Sequence, residues 1–361
     1  MSEYIRVSSA GGVLRIELAR PEAINALSLE MIQAIDAALD LAEANPEIQA
    51  VLLSGEGERG FCAGGDVRQL YVDITAGDLS APRRYFHTEY ALNARIAEFG
   101  VPIIALMHGA CMGGGVGLAG HSQIRVVDES SLVAMPETKI GFTPDVGGSW
   151  LLGRAPGRLG ERLGLHGQVM HAAEAIEAGF ADVFVPRERW AELDAAIVAA
   201  AESGADIAEA VRGFASQPPA ADFGLSRAEI DEIYALGSAA DIIAALHLVA
   251  PEQAAELRAL SPTALEVTLR SVRSARSLSL REALDQEQRL AEWFFTERGD
   301  SLEGIRALLV DKDKSPNWPP LATEFPIWGV STSLAALVSL NDPVIGPRAK
   351  VLPSEVEGSR G

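Results

Sequence analysis

Strand-like and helix-like patterns of hydrophobic residues alternate along the first half of the chain. Apolar residues at helical spacing follow Ser28, and this helix is expected to end at Asn45. A second helix is predicted around residues 84–98. The predicted strands cover residues 13–18, 48–53, 103–107 and 124–127. Such alternation is typical of an α/β fold with a buried sheet.

Strand signals fade after about residue 185, and stretches rich in Ala, Glu and Leu follow. Ser261 precedes a proline in the first turn of a predicted helix, and Ser279 with Glu282 forms a capping box at the start of another. We therefore expect a core over residues 1–190 and a helical region over 191–320. The tail, residues 321–361, has no assigned role.

Composition excludes several classes of protein. The 361 residues include 30 basic and 50 acidic side chains, a net charge of −20 that argues against nucleic acid as a partner. Two cysteines, Cys62 and Cys111, provide neither a disulfide framework nor a zinc-ligand set, and six histidines show no metal-binding spacing. A reducing compartment, the cytoplasm, is the expected location, and no metal is expected.

Residues 101–120 lack Asp, Glu, Lys and Arg over a length that can span a bilayer. Pro102, His108 and three consecutive glycines interrupt this segment, which favours a buried strand followed by a turn. The first residues lack the basic and apolar regions of a secretory signal. The protein is therefore expected to be soluble and to have no membrane partner.

Two glycine-rich segments follow predicted strands and precede predicted helices. Residues 60–66 could leave backbone N–H groups free to face an anion, and the glycines of residues 108–117 could allow the backbone to approach a ligand closely. The second segment lacks the Lys-Ser/Thr ending of an ATP-binding loop and the spacing of a dinucleotide fingerprint. Taken alone, the first segment favours a tight turn in which Asp66 caps the next helix.

A third segment carries two carboxylates, Glu137 and Asp145, among Pro, Gly and apolar residues. Desolvation there could move their pKa values apart and make one group an acid and the other a base. The alternative is that Glu137 is a solvated turn residue and that Asp145 caps a helix beginning near Gly148.

The three segments together resemble the crotonase (enoyl-CoA hydratase/isomerase) superfamily, and within it the 3-hydroxyisobutyryl-CoA hydrolases. The shared motifs are Phe-Cys-Ala-Gly-Gly-Asp at 61–66, Met-Gly-Gly-Gly-Val-Gly at 112–117, Met-Pro-Glu-Thr at 135–138 and Pro-Asp-Val-Gly-Gly at 144–148. Further matches at 261–263, 303–307, 311–313 and 316–319 extend the resemblance to about residues 10–320. It implies a crotonase-type spiral of ββα units with a C-terminal helical region.

The resemblance also implies a reaction. Backbone N–H groups of Gly65 and Gly114 would form an oxyanion hole for a thioester carbonyl group. Hydratases of the superfamily carry a glutamate where this chain has Gly117, whereas Asp145 matches the hydrolase pattern. The implied activity is hydrolysis of a short 3-hydroxyacyl-CoA, most specifically 3-hydroxyisobutyryl-CoA in valine breakdown.

The first hypothesis for the mechanism is that Glu137 attacks the carbonyl carbon or activates water. Asp145 would orient the substrate hydroxyl group or the water, and would pass a proton to the leaving thiolate. Gly117 and Arg68 are candidate substrate-binding residues, and Arg59 is a further candidate for the CoA phosphates. CoA would be part of the substrate, so no separate cofactor is expected.

Two other functions stay open. The chain could be an enoyl-CoA hydratase or isomerase, which the glycine at position 117 disfavours. It could also be a non-catalytic acyl-CoA-binding protein, which the two carboxylates disfavour. The C-terminal helices could form a homo-oligomer interface or fold back over their own core.

Overall fold

The computed structural model describes residues 2–325, and a six-stranded sheet runs through their first half. The strand order is β1-β2-β3-β4-β6-β8; β1 pairs antiparallel with β2, and all other neighbours are parallel. The strands are β1 Ile5–Ala10, β2 Val13–Leu18, β3 Ala50–Gly55, β4 Ile103–Met107, β5 Ala110–Met112, β6 Ile124–Val127, β7 Leu132–Ala134 and β8 Val183–Phe184.

The short strands β5 and β7 form a second, parallel sheet. The chain therefore adds one strand to the large sheet and then one to the small sheet, first with β4 and β5 and then with β6 and β7. This repetition is the expected ββα spiral, and the predicted α/β fold is confirmed. The strands predicted at residues 13–18, 103–107 and 124–127 begin and end where predicted. The strand predicted at residues 48–53 instead begins at Ala50 and extends to Gly55.

Fifteen α-helices lie within residues 2–325. They are α1 Leu29–Ala44, α2 Val67–Thr75, α3 Ser80–Ala97, α4 Gly114–Ala119, α5 Gly148–Arg154, α6 Leu159–His166, α7 Ala172–Glu177, α8 Trp190–Ser203, α9 Ile207–Arg212, α10 Arg227–Ile233, α11 Ala239–Val249, α12 Pro251–Arg258, α13 Pro262–Ala275, α14 Leu280–Trp293 and α15 Asp300–Ile305. Ser28, Ser261 and Ser279 cap α1, α13 and α14 as predicted. Two π-helical turns, Phe294–Arg298 and Arg306–Val310, flank α15.

Two apolar clusters hold these layers together. One lies between the large sheet and α8 with α9, and the other joins the opposite side of the sheet to α1, α3 and the later helices. Helix α13 packs on α5 and α6, and α14 packs on α3 and α5, so both contact the helix that follows the third sequence segment.

The predicted boundary at residue 190 coincides with the start of α8. Whether the two parts act as separate domains stays a prediction. The predicted tail lies outside the described residues from position 326 onward.

Candidate active site

The two glycine-rich segments lie side by side. Cys62 and Cys111 form a parallel bridge between them, which brings Gly65 next to Gly114, the first residue of α4. A Cβ atom built on Gly114 would lie 3.2 Å from the Gly65 nitrogen. Among residues 2–325, neither of these two N–H groups donates a hydrogen bond to a protein atom. Two free donors at the start of a helix fit the predicted oxyanion hole.

Glu137 and Asp145 line the same cavity of about 250 Å³ as Gly65 and Gly114. Glu137 begins a 3-10 turn, Glu137–Ile140, directly after β7, and Asp145 follows in the loop before α5. Aromatic side chains close the apolar side of the cavity; they belong to Tyr85, Phe86, Phe142 and Phe295. The four predicted catalytic and oxyanion-hole residues are therefore brought together.

Asp145 does not cap α5. Its carboxylate accepts a hydrogen bond from the Tyr90 hydroxyl group at 2.7 Å, while Gly147 is the N-cap residue of the helix. Asp145 is only 5% exposed, and this burial raises the pKa of its carboxyl group to about 7, although the hydrogen bond from Tyr90 acts in the opposite direction. The capping alternative for Asp145 is therefore wrong, because its carboxylate lines the cavity instead.

Glu137 is also buried, so it is not the solvated turn residue of the alternative interpretation. Burial, and then the charge of Asp145, raise the pKa of Glu137 well above its usual value. Its Oε2 atom has no hydrogen-bond partner among the described residues. A carboxyl group with a raised pKa and an unpaired oxygen is available to exchange a proton with a ligand.

A third carboxyl group, that of Glu89 on α3, was not identified from the sequence. It lines the cavity, and its Oε1 atom would lie 2.5 Å from a Cβ atom on Gly114. Within the described part of the chain Oε1 is unpaired, and burial with the charge of Asp145 raises the Glu89 pKa well above its usual value. One signal was present: Glu89 lies on the apolar face of its helix, with Tyr85, Phe86 and Asn93.

A fourth buried carboxylate supports the Asp145 loop from behind. Oε2 of Glu287, on α14, accepts the Gly147 N–H at 2.6 Å, and Oε1 accepts the Ser149 N–H at 3.0 Å and the Ser149 hydroxyl group. Burial raises the pKa of Glu287 to about 8 despite these hydrogen bonds. No local sequence pattern connects this glutamate with the loop.

Other candidate residues lie outside this cavity. Gly117 faces Val146, so that an added Cβ atom would lie 2.7 Å from the valine Cβ. Arg68 donates to the Leu309 carbonyl oxygen at 2.9 Å, and Arg59 donates to the Glu22 carbonyl oxygen at 3.4 Å. The three are absent from the described cavity lining, and their substrate-binding roles stay predictions.

Asp66 is not a side-chain cap of α2, as the tight-turn interpretation supposed. Its carboxylate accepts a hydrogen bond from Arg20 at 2.9 Å instead. Cys62 is fully buried, and burial raises its thiol pKa to about 12, so it is a structural residue rather than a nucleophile.

The structural interpretation of two histidines is also supported. His108 is hydrogen-bonded to the Gly57 carbonyl oxygen and His121 to that of Val146, both at 2.7 Å. Residues 2–325 contain no cluster of three or more metal-ligating side chains. No helix in this range is long and apolar enough to cross a membrane.

The fold and the site together define the class of protein. The sequence model for the enoyl-CoA hydratase/isomerase family matches residues 13–325. The chain belongs to this family, and the resemblance to the crotonase superfamily is confirmed.

Individual relatives of the chain are named either as hydrolases or as a dehydratase of CoA thioesters. The chain is 37% identical to a mitochondrial 3-hydroxyisobutyryl-CoA hydrolase of Gallus gallus, over 89% of this chain and 85% of that protein. It is 34% identical to 3-hydroxyisobutyryl-CoA hydrolase 1 of Arabidopsis thaliana, over 89% and 88%. A solved structure described as a carnitinyl-CoA dehydratase from Mycobacterium thermoresistibile is 40% identical, with a TM-score of 0.82 over 95% of this chain and 98% of that one.

Proposed function

We propose that this protein hydrolyses 3-hydroxyisobutyryl-CoA to 3-hydroxyisobutyrate and CoA. The observation that carries the proposal is the shared cavity in which Glu137 and Asp145 face the free N–H groups of Gly65 and Gly114. The hydrolase relatives, which align with most of the chain, support the same substrate.

In this mechanism the thioester oxygen accepts hydrogen bonds from the Gly65 and Gly114 N–H groups. These donors stabilise the negative charge that develops when water attacks the carbonyl carbon. Collapse of the tetrahedral intermediate then breaks the C–S bond and releases the CoA thiolate. In this proposal the two catalytic carboxyl groups divide the proton transfers: one takes a proton from the water and the other gives a proton to the thiolate.

The electrostatics favour Asp145 as the base and Glu137 as the acid, the reverse of the first hypothesis. Tyr90 donates to the Asp145 carboxylate and stabilises its charge, whereas the Glu137 Oε2 atom has no donor among residues 2–325. Asp145 therefore ionises first and takes the proton from water. Neutral Glu137 gives its proton to the thiolate, and proton exchange between the two restores the starting state.

The third carboxyl group suits a hydroxylated acyl group. Burial raises the pKa of Glu89 well above its usual value and so favours its protonated form, which can donate to or accept from the substrate hydroxyl group. In this proposal Glu89, rather than Asp145, orients the 3-hydroxy group. The localisation to the cytoplasm stays a prediction, since several relatives are named as mitochondrial proteins.

Enoyl-CoA hydration is the second candidate, and one observation favours it. Glu89 reaches the start of α4 from α3, so it could supply the second glutamate that position 117 lacks. The structural relative described as a dehydratase fits this alternative. Asp145 has no necessary role in hydration by two glutamates, which separates the two functions.

The deciding experiment measures free-thiol release from 3-hydroxyisobutyryl-CoA and hydration of crotonyl-CoA on one preparation. Hydrolysis predicts rapid thiol release that falls by about 100-fold or more in both Glu137→Gln and Asp145→Asn. CoA binding, measured by calorimetry, should persist in both variants. Hydration without thiol release, or near-normal thiol release by either variant, would contradict the proposal.

A further inference from the structure

Within its own loop, the Asp145 carboxylate could accept a backbone hydrogen bond instead of facing the cavity. Aspartate side chains commonly accept the N–H group two residues later, and for Asp145 that group belongs to Gly147. The N-cap residue of the following helix, α5, provides no side-chain cap, and the first N–H groups of a helix have no acceptor within the helix, which strengthens the attraction. An Asp145 carboxylate used in this way would no longer be the Tyr90-bonded base in the cavity.

Glu287 already accepts the N–H group that the Asp145 carboxylate would need for this alternative. Its Oε2 atom accepts the Gly147 N–H at 2.6 Å, and its Oε1 atom accepts the Ser149 N–H at 3.0 Å. The Asp145 backbone carbonyl oxygen accepts the Gly148 N–H, also at 2.6 Å. The N–H groups of Gly147, Gly148 and Ser149 at the start of α5 are thus satisfied without the Asp145 side chain.

The same loop is held in an uncommon conformation. Val146 has a φ of +53°, which is unfavourable for a β-branched residue, and its carbonyl oxygen accepts a hydrogen bond from the His121 ring at 2.7 Å. Contacts from α14 and from His121 therefore impose a geometry that the loop sequence does not prefer.

We propose that Glu287 is a positioning residue: by capping α5 from α14, it keeps the Asp145 carboxylate in the cavity and bonded to Tyr90. This inference rests on the proposed function, in which Asp145 is a catalytic residue. Glu287 is absent from the cavity lining, so in this proposal it acts through the loop that carries Asp145.

A double-mutant cycle tests the proposal through thiol release from 3-hydroxyisobutyryl-CoA. Glu287→Gln keeps the shape of the side chain but turns an NH₂ group toward backbone donors. We expect kcat to fall by about tenfold with KM changed less than about twofold. In the Asp145→Asn background the same substitution should lower the residual kcat by less than about twofold. Equal losses in both backgrounds would show a merely structural role and overturn the proposal.

Glu266 offers a matched control. It is also a buried carboxylate, and it accepts the Ala239 N–H at the start of α11 from a neighbouring helix, α13. Helix α11 carries no residue of the site, so Glu266→Gln should lower the melting temperature without changing kcat. If Glu287→Gln does not fold, Glu287→Asp replaces it in the cycle, since it retains the carboxyl group but draws it away from the loop.

A crystal structure of Glu287→Gln supplies a readout that needs no activity. We expect the Asp145 carboxylate to rotate and accept the Gly147 N–H, with loss of its hydrogen bond to Tyr90. An Asp145 side chain that stays in place would overturn the proposal. Failure of the wild-type protein to release thiol would instead contradict the proposed function, and the crystallographic comparison would still decide the role of Glu287.

Discussion

Substitution of Gly114 by alanine tests the oxyanion hole most directly. A Cβ atom at this position would lie 2.5 Å from the Glu89 Oε1 atom, 3.2 Å from the Gly65 nitrogen and 3.3 Å from the Leu27 Cδ1 atom. The methyl group would therefore enter the space between the two N–H donors and a carboxyl group of the cavity. Both the position of the donor and the room for the thioester oxygen should be lost.

The size of the effect follows from the interactions removed. Loss of one oxyanion-hole donor costs about 3 kcal/mol in other acyl-transfer enzymes, so kcat should fall by about 100- to 1000-fold. The cost in stability is smaller, about 1–2 kcal/mol, because the Glu89 carboxyl group can move and alanine favours the helix. Activity should therefore be lost from a protein that is still folded.

The assay is continuous thiol release from 3-hydroxyisobutyryl-CoA, with thermal unfolding recorded on the same samples. Gly100→Ala is the matched control, since a Cβ atom at Gly100 would meet no atom within 4 Å. This control should retain wild-type kcat and melting temperature. A folded Gly114→Ala protein within about threefold of the wild-type kcat would refute the assignment of this N–H group.

Three further predictions concern pH, specificity and stability. Burial raises the pKa of Asp145 to about 7, and Asp145 must be ionised to act as the base, so kcat/KM should fall below pH 7. Tyr90→Phe removes a hydrogen-bond donor to the carboxylate and should move this fall in kcat/KM to higher pH. An unchanged pH profile would contradict the assignment of Asp145 as the base. Gly117→Glu should lower the melting temperature without adding crotonyl-CoA hydration, because the new Cβ atom would lie 2.7 Å from that of Val146; a gain in hydration at wild-type stability would be the opposite result. The fully buried Glu161 carboxylate forms ion pairs with three arginines, with N···O distances of 2.7–3.6 Å. Glu161→Gln should lower the free energy of unfolding by about 2 kcal/mol, as measured by urea denaturation. A loss below about 0.5 kcal/mol would argue against a structural role for these ion pairs.

Family resemblance in the sequence led to most of the chemistry, because the motifs are short and contiguous. The segments around Gly65, Gly114 and Glu137 each combine a strand end with a turn, and such local geometry is encoded by neighbouring residues. Their meeting in one cavity, however, depends on the pairing of distant strands. The sequence placed Arg68 and Gly117 near the substrate, whereas in the structure Arg68 donates to the Leu309 carbonyl oxygen and Gly117 packs against Val146, both outside the cavity lining.

Glu89 shows why part of the site escaped the sequence analysis. Its neighbours form an ordinary amphipathic helix, and an acidic residue on such a helix is usually exposed. Burial against α4, where Gly114 leaves space, is what makes this carboxyl group part of the cavity. That space exists only after two helices have packed.

By itself, the sequence determined the α/β order of the elements, the caps of α1, α13 and α14, and the two glycine segments with their nearby carboxylates, because each depends on residues close together in the chain. Only the tertiary structure decided which carboxylate accepts the N–H groups at the start of α5 and which one lines the cavity. Asp145 could cap α5 in the sequence, but Glu287 from α14 takes that position and Tyr90 from α3 holds Asp145 in the cavity. The raised pKa values arise in the same way, since desolvation is a property of all the atoms that surround a group and not of its neighbours in sequence.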